Sequence, residues 1–168
     1  MGDELLINKW VNQFKLPNDD FSKDNAIIIQ YSSRWPLLID PQVQANIWIR
    51  EMEGNKGEER EDAPKTSKDK DKNQKKSSSL YILRPSSKPK EVEMVLENAI
   101  SNGLTVLLEN ITEKIDPIYE PVLQKKLVKQ GNQYKLKFGE KVIDYSTDFR
   151  FYMTTKLGRP HYPPGTPF

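Results

Sequence analysis

The chain has 168 residues, enough for one domain with a hydrophobic core. Its composition, 36% hydrophobic and 30% charged residues, is polar and predicts a disordered portion. The net charge of +2 gives no argument for a nucleic-acid partner, and the absence of cysteine excludes disulfides and thiolate metal sites. No apolar run approaches the roughly 20 residues that span a bilayer. The acidic start is unlike a secretory signal, so we expect a soluble, intracellular protein.

Two helices are predicted at the start of the chain. Apolar residues at helical spacing predict the first helix, which Leu16-Pro17 ends: Ile7, Trp10, Val11 and Phe14. Ser22 can cap a second, short helix. The β-branched run at 26–29 that follows could equally form a strand.

Residues 34–48 read RWPLLIDPQVQANIW and predict a strand, a tight turn and a helix. The apolar run at 35–39 is bounded by prolines, as a buried strand would be. After Pro41, apolar residues again recur at helical spacing: Ala45, Trp48, Ile49 and Met52. Asp40 could touch a ligand, but an Asp-Pro turn that caps the helix explains it better.

Residues 54–79 contain no large apolar side chain and interleave lysines with acidic residues. Such a segment cannot offset its ordering entropy by burial. We therefore predict a disordered, lysine-rich insertion at 54–79 between two parts of one core, 1–53 and 80–168. A polybasic nucleic-acid arm is the less favoured reading of the mixed charges.

The second half alternates strands and helices. Strands are predicted at 80–83 and 105–108, on either side of a helix whose end Gly103 marks. Asp116-Pro117 predicts the start of a helix that runs towards Lys129. A hairpin at 134–145 and a last strand at 149–153, ending in Thr154-Thr155, complete the pattern.

This order predicts an α/β fold, a parallel sheet with helices on both faces plus a β-hairpin. Ligands of such sheets gather at the carboxyl ends of the strands. Asp40, Glu109 and Thr154-Thr155 follow or end strands there. The layout is that of a P-loop NTPase core, whose working site needs glycines, a lysine, a Ser or Thr on Mg²⁺ and a carboxylate.

Within this class of fold, the sequence closely resembles the fifth AAA+ module of dynein heavy chains. The resemblance covers nearly the whole chain and leaves out only the segment near 54–79. Its most distinctive block is RWPLLIDPQ at 34–42. Further matching residues are Gln44-Ala45-Asn46, Trp48-Ile49, Glu97-Asn98-Ala99-Ile100, Leu107-Leu108-Glu109-Asn110, Asp116-Pro117, Phe149-Arg150-Phe151-Tyr152, Thr154-Thr155-Lys156-Leu157 and Pro160-His161-Tyr162. The family fold is an AAA+ large subdomain, and it implies a further strand and a helical lid beyond Phe168. We therefore expect the subdomain to be incomplete at its C-terminus.

The resemblance implies a role for each strand end. The Walker A position, where the family pattern is usually DPQGQANKW, corresponds to Pro41, Gln42, Val43, Gln44, Ala45, Asn46 and Ile47. Val43 replaces its glycine and Ile47 its lysine. Leu108 stands at the Walker B aspartate and Glu109 at the hydrolytic glutamate, while Thr154 and Thr155 occupy the sensor-1 position. We therefore expect vestigial sites, no catalytic residue and no metal.

The residues themselves argue against phosphate binding. Without glycine, Cβ atoms at 41–46 obstruct the close approach of backbone to phosphate. Ile47 cannot neutralise charge and Leu108 cannot hold magnesium. Three lost charge-assisted contacts of about 2–3 kcal/mol each would weaken binding by several powers of ten. His161, the single histidine, has no cysteine to share a metal with, and Trp35 and Trp48 are expected in the core.

The leading functional hypothesis follows from the resemblance. It is a non-hydrolysing ring module of an axonemal-type dynein, part of a minus-end-directed microtubule motor that moves cilia. Its partners would be the neighbouring AAA+ modules and, through the parent motor, other dynein subunits and microtubules. No cofactor is expected here, whereas the parent motor uses ATP and Mg²⁺. The alternatives are a truncated stand-alone product that binds dynein subunits and, more remotely, an active small NTPase.

Overall fold

A computed structural model describes residues 2–59 and 79–160 of the chain. The helices are α1 (Gly2–Gln13), α2 (Asp20–Tyr31), α3 (Gln44–Glu59), α4 (Pro89–Asn102) and α5 (Glu120–Gln124), with a 3₁₀ turn at Pro117–Tyr119. The strands are β1 (Leu37–Ile39), β2 (Leu80–Leu83), β3 (Thr105–Leu108), β4 (Leu127–Gln130), β5 (Gln133–Phe138), β6 (Lys141–Tyr145) and β7 (Arg150–Thr155).

The main sheet has four parallel strands in the order β1-β7-β3-β2. In its register Leu38 lies beside Thr154, and Leu108 beside both Leu83 and Met153. All four strands therefore end at one edge, where Asp40, Glu109 and Thr155 meet. The predicted parallel α/β architecture is confirmed.

Helices cover both faces of this sheet, because successive strand residues point to opposite sides. On one face Val106, Leu108 and Met153 join a core that includes α4, α5 and Trp35. On the other face Leu107 and Tyr152 pack with residues of α1, α2 and α3, including an edge-on pair of Trp10 and Trp48. Both predicted core tryptophans are thus buried, one in each cluster.

Strands β4, β5 and β6 form a separate antiparallel sheet that packs on the first core through Leu136 and Phe138. The predicted hairpin is present as β5 and β6. The prediction of a helix running towards Lys129 is wrong, since α5 ends at Gln124. Lys125 takes a left-handed conformation, φ 48°, which stops the helix, and the following residues pair with β5 as β4.

Two boundaries near the N-terminal half differ from the sequence analysis. The N-cap of α2 is Asp19, whose carboxylate accepts a hydrogen bond from the Ser22 amide at 2.8 Å, so Ser22 is inside the helix and not its cap. The ambiguous run at 26–29 is helical.

Helix α3 continues to Glu59, so residues 54–59 of the predicted insertion are helical. Residues 60–78 of that insertion lie outside the described residues.

The end of α4 agrees with its sequence signal. Gly103 adopts φ 68°, and its amide bonds the carbonyl of Ala99. A Cβ at this position would lie 2.6 Å from the Ser146 hydroxyl, so the site requires glycine for two reasons, backbone conformation and space. Strand β3 begins two residues after Gly103, at Thr105.

Within the described ranges, none of the helices is long and apolar enough to cross a membrane.

Candidate functional site

The loop between β1 and α3 lies at the carboxyl edge of the parallel sheet. Asp40 accepts two hydrogen bonds from this loop. Its carbonyl accepts from the Val43 amide at 3.3 Å, and its carboxylate accepts from the Asn46 amide at 2.8 Å. The second bond satisfies an amide in the first turn of α3. The predicted capping role of Asp40 is confirmed, and the side chain is buried.

Val43 has a left-handed backbone, φ 64°. A β-branched residue is strained in this region, which costs roughly 1–2 kcal/mol because Cβ crowds the carbonyl oxygen. Glycine, which the resemblance implies at this position, would adopt this backbone conformation without strain.

Replacing Val43 with glycine should therefore stabilise the protein. We expect a gain of about 1 kcal/mol in the free energy of unfolding, since relief of strain exceeds the extra chain entropy that glycine adds to the unfolded state. Urea denaturation measures it. Val43→Ala, which keeps a Cβ, is the matched control and should gain much less. A loss of stability in Val43→Gly would show that the valine side chain contributes more than its strain costs.

Glu109 is the centre of a polar cluster at this edge. Its side chain is 5% exposed, and one oxygen accepts from the Asn46 side-chain amide at 2.9 Å and from Arg50 Nε at 3.1 Å, with a second bond from Arg50 Nη2. Arg84 Nε lies 3.4 Å from the other oxygen. Arg50 Nε also donates to the side-chain oxygen of Asn46 at 2.8 Å. The carboxylate therefore faces two guanidinium groups and an amide that come from two neighbouring elements.

These partners keep Glu109 ionised. Burial alone would raise the pKa of its carboxyl, but the hydrogen bonds from Asn46 and Arg50 and the positive charge of Arg50 outweigh it. The net result is a pKa below the usual value for glutamate. A base that is already held by two cations has little tendency to accept a proton from water.

The lowered pKa predicts an acid-sensitive contribution to stability. A carboxyl whose folded pKa lies below its unfolded pKa stabilises the fold fully above the unfolded value, and this is lost as pH falls through the folded pKa. Between about pH 5 and about pH 3, the unfolding free energy of the wild type should fall more steeply than that of Glu109→Gln, which has no charge to lose. Urea denaturation across this range compares them. Parallel curves would contradict the predicted shift.

The two threonines of β7 close the same edge through backbone contacts. The Thr155 carbonyl accepts from the Asp40 amide at 2.7 Å, and its hydroxyl donates to the Ile111 carbonyl at 2.7 Å. The Thr154 carbonyl accepts from the Ile111 amide at 2.9 Å. Both threonine side chains are buried. The hydroxyl of Thr155 is thus used to hold the chain that leaves β3.

Most of the remaining predicted site residues do not contact the Glu109 cluster. Ile47 is 43% exposed, Leu108 lies in the core beneath the sheet, and only Asn46 of the predicted loop reaches Glu109. Other loop residues are exposed or half-buried: Pro41, Gln42, Val43, Gln44 and Ala45. The predicted positions therefore supply an amide and a carboxylate to the cluster and no cation.

Arg50 and Arg84 supply that positive charge, and sequence reasoning missed both. A signal existed for each. Arg50 follows Asn46 by four residues and so lies on the same helix face. Arg84 directly follows β2, the strand that neighbours β3, so its side chain starts from the same edge as Glu109.

A metal site would need a cluster of ligands. In ranges 2–59 and 79–160, no group of three or more histidine and acidic side chains could hold a metal ion. His161 lies outside the described residues.

The parallel sheet, with helices on both faces and connecting loops at its carboxyl edge, defines an α/β protein of the P-loop NTPase type, as AAA+ modules are. The comparison with known families is more specific. The family described as the ATP-binding dynein motor region matches residues 8–167, and the chain belongs to this family.

Several dynein heavy chains are similar to this chain. The flagellar inner arm I1 dynein-1-beta heavy chain of Chlamydomonas reinhardtii is 39% identical over 164 residues. The human axonemal heavy chains 6 and 1 are 41% and 42% identical over 164 residues. Each alignment covers 98% of this chain and 3% of the relative. The chain thus spans a small part of the length of these heavy chains.

Proposed function

We propose that this chain is a ring module of an axonemal-type dynein, the fifth AAA+ module, and that it neither binds nor hydrolyses ATP. The observation that carries the proposal is the engagement of Glu109 by Asn46, Arg50 and Arg84. In a hydrolytic site this carboxylate would have to be free to orient water. Here three donors from the chain itself hold it.

The described residues do not fit a bound ATP–Mg²⁺. A phosphate loop needs backbone without Cβ atoms, a lysine and a hydroxyl or carboxylate for the metal. This chain has Val43, Ile47 and Trp48 at the corresponding loop positions. The Trp48 side chain is buried in the core that α1, α2 and α3 form with the sheet. At the end of β3, Leu108 is a core residue. No step of a nucleotide reaction can therefore be assigned to these side chains.

The role left to such a module is mechanical. Asn46 and Arg50 fix the start of α3 to the end of β3, and Arg84 ties the end of β2 to the same carboxylate. Further along α3, the buried Glu53 accepts from the Thr105 hydroxyl at 2.8 Å and from the Tyr152 hydroxyl at 3.1 Å. Helix α3 is thus bonded to the sheet near both ends of β3.

Such a rigid body suits a relay of conformational change between neighbouring AAA+ modules. ATP turnover and microtubule movement would then belong to the parent heavy chain. Similarity to flagellar and axonemal heavy chains supports a location in the cilium or flagellum. Other dynein subunits and microtubules would be partners through that parent motor.

A hydrolysis assay tests the silent site. Release of phosphate from ATP–Mg²⁺ by the purified wild type should equal that of Glu109→Gln, because the carboxylate takes no part in turnover. The shared residual rate measures contaminating enzyme. A wild-type rate at least about tenfold above that of the variant would identify Glu109 as a working base and end the proposal.

A further inference from the structure

Helix α2 has apolar side chains on two opposite faces. Its inner face carries Ala26, which is 1% exposed and belongs to the core that α2 shares with α1 and α3. Three large side chains on the other side are instead exposed: Phe21 by 78%, and Ile28 and Tyr31 by 65% each. A surface helix normally turns polar residues to solvent, so this second apolar face requires an explanation.

The exposed side chains form one stripe along the helix. At about 100° per residue, four side chains lie within an arc of about 80°, on the side away from the core: Phe21, Asp24, Ile28 and Tyr31. The stripe is about 15 Å long, at a rise of about 1.5 Å per residue. Single exposed apolar residues are ordinary, whereas a contiguous set marks a contact surface. This stripe, with Asp20 at its edge, is called the outer face of α2 below.

The charge on the outer face of α2 is negative. Asp24 lies on the stripe between Phe21 and Ile28, is exposed, and forms no ion pair within residues 2–59 and 79–160. The side chain of Asp20, one turn earlier, is fully exposed. Lys23 is the single cation in the sequence of α2 and lies outside the arc of the stripe. Its side chain is only 26% exposed, and its ammonium lies 3.8 Å from the Asp20 carboxylate.

Other occupants of this face match it less well. Neither of the longer segments outside the described residues combines cations with large apolar side chains: residues 60–78 contain no large apolar residue, and residues 161–168 contain no lysine or arginine. A second copy of the chain would bring four carboxylates together, since each outer face of α2 carries two. An anionic membrane surface would repel the same carboxylates.

We propose that the outer face of α2 docks a basic amphipathic helix of a partner protein. The apolar stripe of that helix packs along Phe21 and Ile28, and its flanking lysines or arginines pair with Asp20 and Asp24. Side chains at helical spacing on both partners interdigitate, as in other packed helices. An extended strand fits less well, because the backbone groups along the side of α2 are already bonded within the helix. The proposal does not depend on the state of the nucleotide site.

Fluorescence anisotropy with the full chain tests the proposal. The probe is a labelled helical peptide of about 18 residues, with leucines at the a and d positions of each heptad and lysines elsewhere. Its counterpart has glutamate in place of each lysine. Wild type should bind the basic peptide at least about tenfold more tightly, with an affinity that falls as salt rises. The net charge of +2 on the whole chain favours the opposite preference, so this result would report the local charge.

Two pairs of substitutions separate the charges from the apolar contact. Asp20→Asn with Asp24→Asn removes both carboxylates and should weaken binding of the basic peptide at least about threefold. Phe21→Ser with Ile28→Ser keeps every charge and should weaken it at least about tenfold. Circular dichroism checks that each variant folds. Each pair tests the proposal by itself, so a misfolded variant leaves the other pair to decide.

Matched controls change exposed residues of the same kind on other elements. Glu113→Gln with Glu140→Gln removes two exposed carboxylates. Met94→Ser with Val142→Ser removes two apolar side chains that are 70% and 63% exposed. Each control should change the affinity for the basic peptide by no more than about twofold.

Four other results would overturn the proposal. Equal binding of the two peptides would remove the charge recognition. An equal loss in a variant and its matched control would reduce the effect to overall charge or hydrophobicity. A dimer in sedimentation velocity that Phe21→Ser with Ile28→Ser abolishes would make the face an interface between two copies. Binding to anionic phospholipid vesicles that the same variant abolishes would make it a membrane surface.

Discussion

Replacing Trp35 with alanine should lower the free energy of unfolding by about 4 kcal/mol, the largest single effect expected in this chain. Trp35 is 6% exposed and packs edge-on against Phe149 and Phe151, with ring centroids 5.4 and 6.4 Å away. Its indole N–H donates to the Val122 carbonyl at 2.8 Å, and Lys125 lies over its ring at 3.8 Å. Truncation removes these contacts together and leaves a cavity between the sheet and α5.

A pair of conservative variants separates the hydrogen bond from the packing. Trp35→Phe keeps a ring but leaves the Val122 carbonyl without its donor, at an added cost of about 1–2 kcal/mol. Trp48→Phe is the matched control, since Trp48 is equally buried and its indole nitrogen has no hydrogen-bond partner in the described ranges. Urea denaturation should therefore find Trp35→Phe the less stable of the two. Equal stability would argue against a structural role for the Trp35 bond.

Replacing Glu109 with alanine should cost about 2 kcal/mol of unfolding free energy. Removing one partner of a fully buried ion pair typically costs about 3–5 kcal/mol. The cost here is smaller because the guanidinium side chains can turn to water: Arg50 is 40% exposed and Arg84 is 63% exposed. Asn46 would still lose its acceptor beneath them.

Chemical denaturation at neutral pH measures this loss. Glu113→Ala, an exposed glutamate a few residues further along the same connection, should stay within about 0.5 kcal/mol of the wild type. Glu109→Gln keeps the shape and one acceptor, so it should fall between the two. An alanine variant as stable as the wild type would mean that the cluster does not hold α3 to the sheet.

The sequence determines the sheet and its helices well because their signals are local. Val92, Leu96, Ala99 and Ile100 recur at helical spacing and are all buried on α4, and Gly103 ends that helix in the expected conformation. The strand ends that the resemblance selects do meet at one edge. Periodicity and turn chemistry suffice where each residue's neighbours decide its state.

The errors arise where tertiary contacts decide. We predict a helix that runs towards Lys129, yet pairing with β5 makes residues 127–130 a strand. The predicted cap of α2 is Ser22, but the observed cap is Asp19. Both residue types can cap a helix, and sequence alone does not rank them. The cations of the cluster were missed because they stand outside the family motifs, on α3 and after β2.

At Val43 the sequence and the structure give different information about phosphate binding. Its identity alone argues that close approach to phosphate is obstructed. Its left-handed backbone adds that the loop keeps the conformation for which glycine is suited.

Calorimetric titration of the full chain with ATP–Mg²⁺ tests the central claim most directly. The claim is that Arg50 and Arg84 at the polar edge of the sheet are engaged by Glu109, and that the loop from Pro41 to Trp48 offers neither a glycine nor a lysine to hold a triphosphate. We predict no heat of binding up to about 1 mM nucleotide, a free energy weaker than about −4 kcal/mol. Saturable binding with a dissociation constant near about 1 µM, about −8 kcal/mol, would contradict it.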